Sequence, residues 1–269
     1  MTSFLKLRIV LAFWMIAATP TVWAEITVET LSIENQANAG ETYSNSFVIR
    51  NNDSTACEVS VYQTDYLFSC DGSNEFGEAG KLSRSNANWI TFSPHRVIIP
   101  PFQTTTIHCN VRVPDDTAMS GTYWSILMVE KTAGTSLDDV LQLKDDQTGI
   151  RQRVRYGVQC VTNIGTAATE QLNVLGVQAF VNPGNNKELQ LDIANTGERW
   201  AVPATWTELY DEQGKRVGRY EAESKRIFPG TSVRYRFSLG EIARGKYKAL
   251  VVLDNGNQNV VGAKYDLEF

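Results

Sequence analysis

The 269-residue chain has little of what most enzymes work with: two histidines, His95 and His108, and four cysteines. No GxSxG elbow, HExxH pair or glycine-rich phosphate loop stands at a strand-to-helix junction, which removes the local signatures of serine hydrolases, zinc peptidases and nucleotide-binding enzymes. His95 follows Pro94 in an interrupted strand, and His108 points away from the face that carries Cys109, so neither is set beside a nucleophile and a carboxylate. Excess positive charge is missing too. The formal net charge is −5, which argues against a nucleic-acid binder. No later segment approaches the ~20 uncharged apolar residues of a membrane-spanning helix. Helical periodicity does not run beyond about two turns. These absences describe a non-enzymatic chain without cofactor or metal.

The first 24 residues read as a secretion signal, with Lys6 and Arg8 ahead of the apolar run Ile9–Ala18 and a small-residue cleavage pattern at Val22-Trp23-Ala24. Their removal takes the net charge from −5 to −7. The expected location is the periplasm, with no membrane span after cleavage. Residues 25–165 hold 10 Lys+Arg against 17 Asp+Glu, whereas residues 166–269 hold 13 of each, so the acidity belongs to the first part.

What is present is alternation of β-branched and aromatic residues. Strands are predicted over Glu25–Ser32, Tyr43–Arg50, Cys57–Phe68, Thr104–Val113, Thr122–Glu130 and Arg151–Val161, with Trp89–Ile99 split by Pro94. The polar stretch Thr162–Glu170 marks a junction. A second series follows over Leu172–Phe180, Glu188–Asn195, Ala204–Tyr210, Arg216–Tyr220, Ser232–Ser238, Tyr247–Asp254 and Val260–Phe269. The fold class is all-β: two immunoglobulin-like sandwiches, 25–165 and 166–269, behind the signal at 1–24.

Cys57, Cys70, Cys109 and Cys160 match no CxxC spacing, and an even number in an exported chain predicts two disulfides. Strand Cys57–Phe68 spans ~35 Å, which forbids Cys57 from reaching Cys70 within ~7 Å. Sandwich order then favours Cys57–Cys109 and Cys70–Cys160.

Two stretches could carry function. The connection Lys131–Gly149 contains Asp138-Asp139 and Asp145-Asp146 around Val140, Leu141 and Leu143. It lacks the glycine and spacing of a calcium loop and reads as a solvated loop, in which the three apolar residues are unusual and are the place to expect a contact surface. In Ile150–Cys160, Arg151, Arg153 and Arg155 share one face while Val154, Tyr156 and Val158 share the other. The arginines either pair with acidic neighbours on an outer sheet face or bind an anionic group beside a strand edge.

Trp89-Ile90, then Ile98-Ile99-Pro100-Pro101-Phe102-Gln103, then Gly121-Thr122-Tyr123-Trp124-Ser125 in an exported two-domain β chain resembles the periplasmic pilus-assembly chaperones of chaperone–usher systems, the PapD-like family. The resemblance implies a chaperone that caps fibre or pilin subunits by lending strand 150–160, and that also meets an outer-membrane usher. It makes Ile150, Val154, Tyr156 and Val158 the donor face, with Arg151 or Arg153 as the cation for the subunit's C-terminal carboxylate. A second cation expected on the first strand is missing, because Glu25–Glu34 has no Lys or Arg. Asn195-Thr196-Gly197, Phe228-Pro229-Gly230 and Gly245-Lys246-Tyr247 are also similar to two-domain cell-surface immunoglobulin-like proteins of Gram-positive bacteria. That likeness implies an adhesion module for an envelope protein or glycan.

Overall fold

The computed structural model describes residues 25–132, 154–166, 168–256 and 260–269. Residues 1–24, expected to be a secretion signal, the acidic connection from 133 onward, and Ile150, Arg151 and Arg153 lie outside them. Ten strands precede residue 165: β1 Ile26–Val28, β2 Ser32–Ala37, β3 Thr42–Asn51, β4 Cys57–Phe68, β5 Asn74–Gly77, β6 Ile90–Ser93, β7 Arg96–Ile99, β8 Thr104–Arg112, β9 Gly121–Lys131 and β10 Arg155–Ile164. Seven follow: β11 Leu172–Val181, β12 Lys187–Asn195, β13 Ala204–Asp211, β14 Arg216–Ala222, β15 Ser232–Gly240, β16 Lys246–Asp254 and β17 Val260–Glu268. The all-β, two-sandwich expectation holds.

The first sandwich packs a sheet ordered β1-β3-β8-β6 against one ordered β2-β10-β9-β4-β5, with β7 also on β4. Inward side chains of both sheets, among them Phe47, Ile49, Val59, Ile107, Leu127 and Val158, form its core. The stretch read as one strand over Glu25–Ser32 is two. β1 pairs antiparallel with β3, and β2 then pairs parallel with β10 in the opposite sheet. The split at Pro94 follows the same logic, since β6 lies on β8 and β7 on β4. The second sandwich packs β11-β12-β15 on β14-β13-β16-β17 around Leu189, Leu191, Leu209, Tyr235 and Phe237.

No disulfide joins the four cysteines in the structure, and the two expected pairings do not match where the strands place them. Cys57 sits opposite Ile99 at the end of the sandwich where Asn51 binds the Ile99 carbonyl and Arg50 meets Thr104. Cys109 lies five residues further along β8, ~16 Å deeper at strand rise, beyond bridging reach. Cys70 is in the turn after β4, its N–H held by Ser232 Oγ of the second sandwich at 2.9 Å, whereas Cys160 points into the first core.

The two sandwiches meet on the outer face of β9 and β10. Trp124 and Val161 pack with Phe228, and the Trp124 and Phe228 rings stack with centroids 4.8 Å apart. Trp124 Nε1 donates to the Tyr66 carbonyl at 3.1 Å. Thr122 N–H donates to the Glu198 carbonyl at 2.8 Å, and its hydroxyl accepts from Trp200 N–H at 3.0 Å. The glycine of the Gly121-Thr122-Tyr123 motif has a clear reason. Its φ is +85, and a Cβ there would lie 2.1 Å from the Glu198 carbonyl oxygen.

Gly121→Val should therefore cost about 3 kcal/mol or more by urea unfolding, from strain and from backbone clash at the junction. Gly72→Ala, at φ +92 with nothing within 4 Å, should lose only about 1 kcal/mol. Equal losses would show that the contact with Glu198 contributes nothing beyond the turn geometry.

Candidate partner-binding edge and interdomain cleft

β10 is flanked by β9 over its whole length, from Arg155↔Glu130 to Ile164↔Gly121. On its other side, β2 begins only at Gln159↔Ser32. The strand before it, β1, has already been given to the opposite sheet. Among the described residues no strand therefore covers Arg155–Val158 on that side. Alternate residues of a strand aim their amides at opposite edges. Gln159 N–H donates to the Leu31 carbonyl at 2.9 Å, toward β2, so Arg155 and Gly157 aim theirs at the uncovered side. An open row of this kind is the template for adding a strand. Gly157 is small for another reason: a Cβ there would lie 3.0 Å from Cγ2 of Ile126 on β9.

The side chains of this segment are arranged differently from the expected donor face. Val158 is fully buried and Tyr156 packs against the same core, its hydroxyl donating to the Ile26 carbonyl at 2.7 Å. Of that face, Val154 alone among the described residues is open, at 45% exposure. Parity explains this: residues 154, 156 and 158 share the phase of the core residue Cys160. Arg155 pairs with its cross-strand neighbour Glu130 at 3.3 Å, the pairing expected of an outer sheet face.

A cleft of about 770 Å³ opens between the sandwiches. Its first wall is the β4–β5 turn, from Tyr66 to Asn74, with Gln159 of β10. Its second wall comes from β14, β15 and the chain between them, which supply Lys225, Arg226, Arg234 and Arg236 against Glu223. Arg234 makes a bidentate pair with Asp192, both contacts at 2.8 Å. Lys225 Nζ donates to the Arg234 carbonyl at 2.8 Å. Arg226 lies over the Trp200 ring at 4.4 Å and reaches across the junction to Glu34 at 3.2 Å. Asp71, on the turn opposite, is held below the usual carboxylate range by the Ser73 N–H. Arg236 is exposed, so the cleft keeps a positive rim.

Sequence reasoning missed these cations because they lie 60 residues and more beyond β10 in the chain. One signal was available. Arg234 and Arg236 repeat the period-two arginine spacing of Arg151, Arg153 and Arg155.

No family model matches the chain, and no curated protein matches its sequence. Solved structures of similar fold include fimbrial chaperones and their complexes. The class 5 fimbriae chaperone CfaA aligns at TM-score 0.46 and 12% identity, over 90% of this chain and 98% of that one. The CsuC–CsuE chaperone–tip adhesion subunit pre-assembly complex of Acinetobacter baumannii Csu pili gives TM-score 0.44 at 13% identity, over 89% and 98%. The complex of the Salmonella enterica SafA pilin with the SafB chaperone gives 0.44 at 10%, over 92% and 98%.

The Arg226–Glu34 pair tests how much charge contributes to the junction. Both side chains are 31% exposed, so a double-mutant cycle with Arg226→Ala and Glu34→Ala should return a coupling of about 0.5–1 kcal/mol that shrinks in salt. A salt-independent coupling would assign the effect to stacking on Trp200.

Proposed function

We propose that the chain is a periplasmic chaperone of fibre or pilin subunits that holds its client by strand addition at the open edge of β10. The observation that carries this reading is the uncovered backbone of Arg155–Val158 beside the crossing from β1 to β2. The sequence motifs around Trp89, Pro100 and Gly121 support it, because they resemble the pilus-assembly chaperones. In this reading main-chain hydrogen bonds supply the affinity, and no catalytic group or cofactor is required. Selection falls to Val154, Ile150 and the arginines Arg151 and Arg153 that precede it, since Tyr156 and Val158 are occupied by the chaperone's own core.

The client's C-terminal carboxylate needs a second cation beside Arg151 or Arg153, and the first strand has none. In this reading the second sandwich supplies it, through Lys225 and Arg236 at the cleft rim. An outer-membrane usher then receives the loaded chaperone.

The test is the native mass of the chain taken gently from its host's envelope. A companion of ~15–20 kDa bound one to one is expected, as strand addition to a single subunit requires. Arg155→Pro should lose that companion, because it removes an N–H from the open edge and leaves the β9 ladder intact. Its thermal midpoint should move by no more than a few degrees, since Arg155 is exposed and its ion pair is a surface one. Arg151→Glu with Arg153→Glu should weaken capture with a similarly small change in stability. A chain that instead comes out as a monomer, or with a glycan or large surface protein that Arg155→Pro does not release, would overturn strand addition in favour of an adhesion module.

A further inference from the structure

Cys109 and Cys160 enter the same core from opposite sheets. Cys109 lies within β8 and Cys160 within β10, strands of opposite sheets, and both side chains point between the sheets. They belong to one buried cluster at 3% and 5% exposure. Both also line one small cavity of about 10 Å³, with Tyr43, Ile90 and Val111 among its other walls. A space of that size holds at most a single water. Burial pushes the Cys160 thiol up to about 12, with the Cys109 thiol adding to the rise. Burial also raises Cys109 to about 11. Neither is a thiolate at neutral pH in the folded protein, so the pair is not a reactive site on the surface.

Facing inward positions of two packed sheets are the geometry in which a disulfide spans a sandwich. We propose that Cys109 and Cys160 form such an intersheet disulfide when the chain folds in an oxidising compartment, while Cys57 and Cys70 remain thiols. The oxidant is a disulfide donor, for which oxidised glutathione serves as the probe. One cysteine thiolate attacks a donor sulfur, giving a mixed disulfide and releasing one donor thiol. The second thiolate then attacks the first cysteine's sulfur, and the S–S bond forms as the other donor thiol leaves. Two protons and two electrons pass from the cysteine pair to the donor. Because both side chains are sealed in the closed core, the exchange precedes closure of the sheets. The bond ties β8 to β10 one residue past Gln159, where the open edge ends. The pairing does not depend on what that edge binds.

The purified chain is refolded with a mixture of oxidised and reduced glutathione, and in parallel with excess reductant. Each sample is denatured, alkylated with iodoacetamide and mapped by mass spectrometry. The oxidised sample should label Cys57 and Cys70 only and yield one linked pair of peptides containing Cys109 and Cys160. Reductant should lower its thermal midpoint by about 5–15 °C. The double variant Cys109→Ala, Cys160→Ala should have no reductant-sensitive midpoint. Labelling of all four cysteines after oxidative refolding would overturn the proposal, as would a link through Cys57 or Cys70. So would a double variant that keeps the full reductant-dependent shift.

Discussion

The chain leaves one sheet at Val28 and joins the other at Ser32, and what β10 can do follows from that crossing. A strand that stayed on β3 would leave all of β10 uncovered, and one that began on β10 would close its edge. The divided strand covers β10 only from Gln159 onward. The parallel segment is short, but it is secured by side chains. Asn163 Nδ2 donates to Glu34 Oε1 at 2.8 Å, and the other oxygen of Glu34 meets Arg226 of the second sandwich. One carboxylate thus ties the covering strand to its sheet and to the neighbouring sandwich.

β9 connects the two ends of this arrangement. Glu130 and Val129 lie beside the open edge, while Trp124 and Thr122 carry the junction. The energetic weight falls on the junction end. Burying an aromatic side chain contributes about 1.5–3 kcal/mol, several times a surface ion pair such as Arg155 with Glu130. The angle between the sandwiches therefore depends on aromatic packing and on the close backbone approach at Gly121. The charges lining the cleft are carried along with it.

Strong alternation made most strands legible in sequence, including the two-piece reading at Pro94, whereas residues 162–164, read as part of a polar junction, complete β10. β2 was not legible as a separate strand. Ser32–Ala37 is an edge with polar residues on its outer face and Asn35 between Ile33 and Ala37 on its inner one, so its pattern gives little sign of where the chain changes sheets. β5 was missed because Asn74–Gly77 is fully exposed. Among the described residues, period two separated Arg155 correctly from the apolar face of β10. Periodicity cannot say which face is inside, and here the apolar face fills the chain's own core. The cysteine pairings were not legible for a related reason, since strand order says which sheets face each other but not how deep along a strand a residue lies. The cleft cations belong to another sandwich, and local pattern does not report such long-range assembly.

The stacked pair at the junction also gives the molecule an optical property. Of its six tryptophans, Trp14 and Trp23 precede Glu25, and Trp89 and Trp206 sit within single sandwiches. Trp124 and Trp200 are the ones at the meeting of the two, the first against Phe228 and the second beneath Arg226. Roughly half of the indole emission from the chain after Ala24 thus originates where the sandwiches touch, within reach of a ring and a guanidinium whose positions set its colour and yield. The orientation of the two halves is written into the protein's own fluorescence, with no label attached.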